Sequence, residues 1–243
     1  MKEAVAKGYR SGSVVTPVLH SIDFRVPRGE CLFLAGPSGS GKTTLLSILG
    51  CVLSPDAGRV SILGQDITAL SRKDQVRFRR EKIGFVFQRF HLFDGLKAWE
   101  NVRVAFDLLG TPAREGKSES LYLLEMVGLA DRAGHKVSQL SMGQRQRVAI
   151  ARALAGDPEL ILADEPTASL DAASGGNAMQ ILKDLCCELD KTAVVVTHDN
   201  RIFPLADRIL TLVDGRIESE SIPGNPTLDP NDAEPVRVES GVA

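Results

Sequence analysis

The chain has almost no excess of charge of either sign: 29 Lys and Arg stand against 31 Asp and Glu, for a formal net charge of −2. A nucleic-acid partner leaves a basic electrostatic footprint, so this balance argues against one. Cysteine is scarce and unpatterned. Cys31, Cys51, Cys186 and Cys187 form no Cys-x-x-Cys pair and no Cys/His metal spacing. Cys31, Cys51 and Cys186 sit among apolar residues and are expected to act as small core hydrophobes in a reducing compartment. No apolar run approaches the roughly 18 residues that cross a bilayer; the longest are short pieces such as Ala-Val-Val-Val at 193–196. The opening MKEAVAKGYR lacks the apolar stretch of a signal peptide. The expectation is a cytoplasmic protein that meets a membrane only through a partner. No internal repeat is apparent.

What is present is an α/β alternation with one interruption, in 243 residues, enough for a full core. Leu32 to Ala35 reads as a buried strand, followed by a Gly-rich loop and a helix from Thr43 to Val52. Residues 58–64, flanked by glycines, read as a strand at a sheet edge or in a hairpin. Ser71 to Lys82 reads as a solvated helix and Ile83 to Phe87 as a strand. From about 89 to 155 strand signals vanish and helical periodicity takes over; helices are expected at Trp99 to Leu109 and at Ser118 to Val127, the second with Leu121, Leu124 and Met126. Strands resume at Leu160 to Ala163 and Ala193 to Thr197, around a helix at 178–189. In that helix Met179, Leu182, Leu185, Cys186 and Leu189 share one apolar face. The glycines Gly175 and Gly176 near its start have no evident purpose, since each costs a helix about 1 kcal/mol. Ile209 to Val213 and Arg216–Ile217, joined by Asp214–Gly215, read as a hairpin. The expected organisation is one domain over 1–221 with a helical part at about 89–155. The Pro- and Asp-rich stretch 222–243 is expected to be disordered.

Two motifs carry chemistry. Gly36, Pro37, Ser38, Gly39, Ser40, Gly41, Lys42 and Thr43 fit G-x-x-x-x-G-K-[ST] between a strand and a helix. The glycines let backbone N–H groups close round phosphates, and the helix N-terminus adds its dipole. Lys42 is expected at the β- and γ-phosphates and the Thr43 hydroxyl at Mg²⁺. The strand 160–163 then delivers Asp164, placed to hold Mg²⁺, with Glu165 next to it as a candidate general base for the attacking water.

The stretch from Ser138 to Asp171, with Leu-Ser-Met-Gly-Gln at 140–144, completes a resemblance to the ATP-binding subunits of ABC transporters. It covers roughly 4–218. The family's LSGGQ signature is matched except at its third position, where Met142 stands for glycine; a positive φ there would strain methionine. The resemblance implies an α/β P-loop NTPase core with an antiparallel β subdomain and an inserted α-helical subdomain. It implies ATP and Mg²⁺ as ligands, and a homodimer in the ATP-bound state in which Ser141 and the Gly143 amide contact the γ-phosphate held by the other subunit. Gln88 corresponds to the glutamine that touches Mg²⁺ and the attacking water, and 169–171 to the loop that crosses the dimer interface. His198 corresponds to the histidine at the γ-phosphate, and Tyr9 to the adenine-stacking aromatic. Thr44, Gln144 and Asp171 are counted with the nucleotide site. Trp99, Phe85 and Phe87 are expected only to pack.

One cassette, a compact insert and no zinc spacing favour a membrane partner over the DNA- or ribosome-acting relatives. Residues 9–20 and 162–167 look like the lipoprotein-releasing and macrolide-export ATPases; 197–202 and 206–209 look like the heterocyst-glycolipid-exporter branch. These imply an ATPase on the inner face of the plasma membrane that powers an integral-membrane permease, with a periplasmic membrane-fusion protein as a further partner. The alternative is a mechanotransmission ATPase of the cell-division type that moves no solute.

Overall fold

A computed structural model of the chain describes residues 4–12 and 14–223. The stretch expected to be disordered thus falls almost wholly outside the described residues. At the centre is a six-stranded sheet in the order β10-β9-β3-β8-β7-β6. Its members are β3 (Cys31–Ala35), β6 (Ile83–Val86), β7 (Leu160–Asp164), β8 (Thr192–Val196), β9 (Arg208–Val213) and β10 (Arg216–Ser221). The pairs β9-β3, β3-β8, β8-β7 and β7-β6 are parallel, and β10 folds back antiparallel on β9 as the expected hairpin. β3, β7 and β8 carry no alternation of polar residues because apolar layers cover both faces.

Alternate residues of each strand point to opposite layers. Phe33, Ile161, Val195 and Ile209 enter one cluster, with helices α3 (Ala98–Leu109), α4 (Ala113–Met126), α5 (Met142–Leu154) and α6 (Ala172–Glu188). Leu32, Leu34, Leu162, Val194 and Leu210 enter the other, with α1 (Lys42–Leu49) and Phe78 of α2 (Arg72–Lys82). The same layer holds residues of two antiparallel ribbons, β1 (Val5–Ser11) with β2 (Val14–Ile22) and β4 (Ser61–Ile62) with β5 (Gln65–Asp66). The first ribbon was not located as strands from local pattern; Gly8 and Pro17 interrupt its apolar alternation. A two-stranded ribbon tolerates Pro because one edge of each strand needs no partner.

Several helices start earlier than the periodicity indicates. α4 begins at Ala113, and its inward face is Gly116, Ser120, Leu123 and Leu124, whereas Leu121 is 38 % exposed. α6 begins at Ala172, capped by the Asp171 carboxylate, which accepts from the Ser174 amide at 2.9 Å. Gly175 has a packing reason: a Cβ there would lie 3.2 Å from the Thr167 Cβ. Gly176 has open space around it, and nothing in the structure explains it. Cys31, Cys51 and Cys186 are buried as expected. Burial pushes the Cys31 and Cys186 thiols up to about 12, which keeps them unreactive. Among the described residues no helix is long and apolar enough to cross a membrane.

Candidate nucleotide-binding and hydrolysis site

β3 ends at Ala35, and the next six residues form a loop that closes on the N-terminus of α1. Gly36 has φ +139°, and a Cβ there would fall 2.0 Å from the Leu212 carbonyl oxygen. Only glycine can pass between β9 and the loop. The Gly215 amide donates to the Ser40 carbonyl at 3.1 Å, so the β9–β10 turn braces the loop from behind. No side chain caps α1, whose N-cap is Gly41. Its first N–H groups are therefore available to an anion. Ser40 is 2 % exposed, and its Oγ has no hydrogen-bond partner in the structure. Lys42 is 6 % exposed, and its ammonium donates to the carbonyls of Gly36 and Pro37, each at 2.8 Å. Burial lowers the Lys42 pKa, while Glu165 and Asp164 oppose that shift.

The acidic side of the site comes from the neighbouring strand end but one. β7 pairs with β8 as far as Asp164↔Val196, and the Glu165 amide still donates to the Val196 carbonyl at 2.9 Å. Glu165 then turns out of the sheet with φ +47°, a left-handed conformation uncommon for a residue with a side chain. The Thr43 hydroxyl donates to Asp164 Oδ1 at 3.3 Å. Burial raises the Asp164 pKa, with Glu165 adding to the rise and Thr43 and Lys42 opposing it. Glu165 Oε1 lies 2.8 Å from His198 Nδ1, and Glu165 Oε2 is buried without a hydrogen-bond partner. The loop after β8 is tied down by Asp199, which accepts from Thr167 Oγ1 at 3.1 Å and from Arg201 through two nitrogens. The Arg201 side chain holds the Asp199 carboxyl down at about 2. Asp199 and Thr167 were not singled out from sequence; both flank motif residues, which was the available signal.

Gln88 follows β6, the strand beside β7, and its carbonyl accepts from Ser169 Oγ at 3.1 Å. Tyr9 is 45 % exposed, with its hydroxyl 3.3 Å from Thr44 Oγ1, so it stands beside the helix that starts at the loop. The structure thus brings together the 36–44 loop, Asp164, Glu165, His198 and Tyr9.

The signature residues lie elsewhere, at the start of α5. Ser141 is its N-cap: the Oγ accepts from the Gln144 amide at 3.2 Å and Gln144 Oε1 accepts from the Ser141 amide at 2.9 Å. Met142 opens the helix with a 45 % exposed side chain, and it is absent from the residues of positive φ. The strain foreseen for methionine does not arise. Gly143 sits against α6: a Cβ there would lie 3.3 Å from the Ser174 Cβ.

Among the described residues there is no cluster of three or more His, Cys, Asp or Glu able to hold a metal ion. The donors present suit Mg²⁺ all the same. It takes one or two carboxylates and completes its shell with water and phosphate oxygens. The Thr43–Asp164 pair offers one hydroxyl and one carboxylate on the loop side.

This mostly parallel sheet, with a Gly-rich loop feeding a helix after β3 and acids at the end of β7 two strands away, is an α/β fold of the P-loop NTPase type. The ABC transporter family model matches residues 19–168. A macrolide export ATP-binding/permease protein, MacB 2 of Aeromonas hydrophila subsp. hydrophila, is 43 % identical over 234 residues, 94 % of this chain and 36 % of that protein. The chain therefore spans about a third of the length of that relative. A lipoprotein-releasing system ATP-binding protein, LolD of Shewanella sp. strain MR-4, is 42 % identical over 89 % of this chain and 94 % of its own length. Among solved structures, the dimeric post-hydrolysis state of the ATP-binding cassette MJ0796 with ADP and Pi is 42 % identical. It superimposes with a TM-score of 0.82 and covers 90 % of this chain and 96 % of that one. The chain belongs to the ABC transporter family.

Proposed function

We propose that this chain is the ATP-binding and ATP-hydrolysing subunit that powers an integral-membrane permease from the cytoplasmic face of the plasma membrane. Its cargo class would be a lipid, a lipoprotein or a drug-like molecule. The observation that carries the reading is the convergence of Lys42, Thr43, Asp164, Glu165 and His198 beyond the C-terminal ends of the interior strands β3, β7 and β8, with Thr43 bonded to Asp164 and His198 to Glu165.

The roles follow from chemistry. The loop amides and the Lys42 ammonium hold the phosphates, and Tyr9 stacks on the base. Thr43, Asp164 and Gln88 would hold Mg²⁺, which supplies charge neutralisation on the phosphate oxygens. Glu165 takes the proton of a water held beside it, and His198 orients Glu165 and meets the terminal phosphate. Ser141 and Gly143 face a second copy of the chain and cap the nucleotide in that copy's loop, with Asp171 at the same interface. Cargo names come from relatives: 43 % identity to a macrolide exporter and 42 % to a lipoprotein-releasing ATPase support export or extraction.

Purification of the tagged chain from detergent-solubilised membranes tests the transport role. Recovery with a permease, and loss of that permease from a strain lacking the chain's gene neighbours, supports it. Recovery with a cell-wall hydrolase complex, or with ribosomes, contradicts it.

A further inference from the structure

Helix α5 presents Ser141 and Gly143 at one end. At the other, Arg152 on the last turn reaches out of the helix to a different part of the site. Its Nη2 donates to the Phe90 carbonyl and its Nη1 to the His91 carbonyl, both at 2.6 Å. Phe90 and His91 are consecutive residues in the left-handed region, φ +57° and +47°. Two such residues in a row are unfavourable for L-amino acids. They turn successive carbonyls toward one planar guanidinium. They follow directly on a turn from Phe87 to Phe90 that has Gln88 and Arg89 at its centre, closed by the Phe90 amide donating to the Phe87 carbonyl at 3.0 Å. The Phe87 and His91 rings pack across it with centroids 4.7 Å apart. On its other side the turn is held by Ser169, whose hydroxyl donates to the Gln88 carbonyl.

Arg152 has no carboxylate partner among the described residues; burial alone shifts its pKa, downward. A guanidinium placed partly out of water without an opposite charge is costly. Here its hydrogen bonds go to the backbone of the Gln88 turn. Lysine could not replace it, because a point ammonium lacks the fixed fork that spans two carbonyls.

We propose that Arg152 is the positioning residue for Gln88, and that α5 works as a rod between the two halves of the mechanism. The helix is 13 residues long, about 20 Å at 1.5 Å per residue. A shift of Ser141 and Gly143, as they close on the nucleotide of a second copy, is carried to the turn that sets this copy's own Gln88. One subunit's ATP is thereby reported to the other subunit's hydrolytic glutamine. The inference rests on the shared-site reading above.

Arg152→Lys and Arg152→Ala in the full chain test it by three measurements. The first is binding of a fluorescent ATP analogue. The second is the ATPase rate against ATP concentration. The third is hydrogen exchange at the Phe90 and His91 amides. Binding should stay within about twofold, since neither residue touches nucleotide in its own loop. The maximal rate should fall about tenfold or more, because small misplacements of a reacting group cost up to about 10². A sigmoidal dependence on ATP should flatten toward hyperbolic, and exchange at the turn should quicken while the α5 amides stay protected.

A simple fastener would move exchange and stability only. Unchanged maximal rate and unchanged sigmoidicity in Arg152→Lys, with faster exchange, overturn the proposal. So does a rate that falls only in proportion to the folded fraction. If Arg152→Ala does not fold, Arg152→Lys decides alone. The exchange measurement needs no ATP, so it judges the clamp even where the shared-site reading fails. That reading fails separately, when Glu165→Gln binds MgATP and does not dimerise.

Discussion

The 36–43 loop and the 140–144 signature are both Gly-containing turns that lead into helices, yet the protein builds them in opposite ways. The loop is sunk into the sheet: Gly36 is wedged against β9, Ser40 and Lys42 are buried, and the β9–β10 turn braces it. Its helix end is left uncapped. The signature is on the surface, and its helix end is capped by its own Ser141 and Gln144 in a reciprocal pair. A helix N-terminus left bare and walled by the core is ready to hold an anion unaided. One that satisfies its own first amides and stays exposed can fold alone and serve a surface brought to it later. On the proposed function, the first half belongs to binding and the second to assembly. ATP would then favour the closed dimer through its differential affinity for it, the only route by which a ligand shifts an equilibrium.

The largest expected effect divides the two halves by turnover. Glu165→Gln keeps a hydrogen-bonding group near His198 but cannot take a proton. Hydrolysis should fall by about 10²–10⁴, with ATP binding retained, and light scattering should show a dimer only with MgATP. Wild-type activity in this variant would remove Glu165 from its role. Next comes Lys42→Ala, which strips the loop of its buried cation. Nucleotide affinity should drop about 10–100-fold, the equivalent of the roughly 1.5–3 kcal/mol typical of a hydrogen bond to a charged group. Titration calorimetry reads it, and unchanged affinity would mean that Lys42 stays on the Gly36 and Pro37 carbonyls.

Ser141→Ala should leave the affinity of a single subunit alone and abolish cooperative hydrolysis. It should also cost about 1 kcal/mol of stability through the lost cap, or about 2–4 °C in melting temperature for a chain of this size. A change in monomer affinity would place Ser141 at its own subunit's nucleotide.

A smaller effect concerns the loop that carries His198. Arg201 depresses the folded Asp199 pKa to about 2, below the ordinary 3.8. A depressed carboxylate adds stability that is complete above its unfolded value and is lost as pH falls from there through about 2. Arg201→Ala should therefore lower stability most at neutral pH, where that contribution is complete, and least near pH 2, and move the acid-unfolding midpoint upward by a fraction of a pH unit. The Arg201 side chain is largely exposed, so solvent screens the pair and the effect is small. Circular dichroism across acid pH reads it.

The cradle was legible in the sequence because its chemistry is local: eight consecutive residues fix loop, lysine and hydroxyl. Asp164 was legible because an apolar strand ended there. What the pattern could not give is how distant segments meet. That Gly36 is pressed by Leu212, or that Arg152 holds carbonyls about sixty residues away in sequence, is a property of strand order and helix packing. The early starts of α4 and α6 were missed for a related reason. Their first turns are polar and glycine-bearing, so helical periodicity is silent there; Asp171 as a cap was the sign for α6.

Met142→Gly tests the signature at its one departure from the family pattern and should have the smallest effect. Methionine occupies the first helical position of α5 in ordinary helical backbone, so glycine's conformational freedom is not needed there. Its side chain is about half exposed, so little burial is lost on truncation. Glycine adds unfolded-chain entropy, a penalty of no more than about 1 kcal/mol in a helix. Melting temperature should fall by a few degrees at most, and ATP affinity of the isolated subunit should not change. Any functional effect should lie in dimer lifetime, because the exposed thioether is among the groups a second copy would meet. Removing it would let the surfaces approach more closely and lengthen the life of the MgATP dimer in the Glu165→Gln background. Size-exclusion chromatography of the double variant measures that lifetime. A tenfold change in the affinity of the isolated subunit would show that the signature serves its own loop, and the contrast between cradle and assembly surface would fall with it.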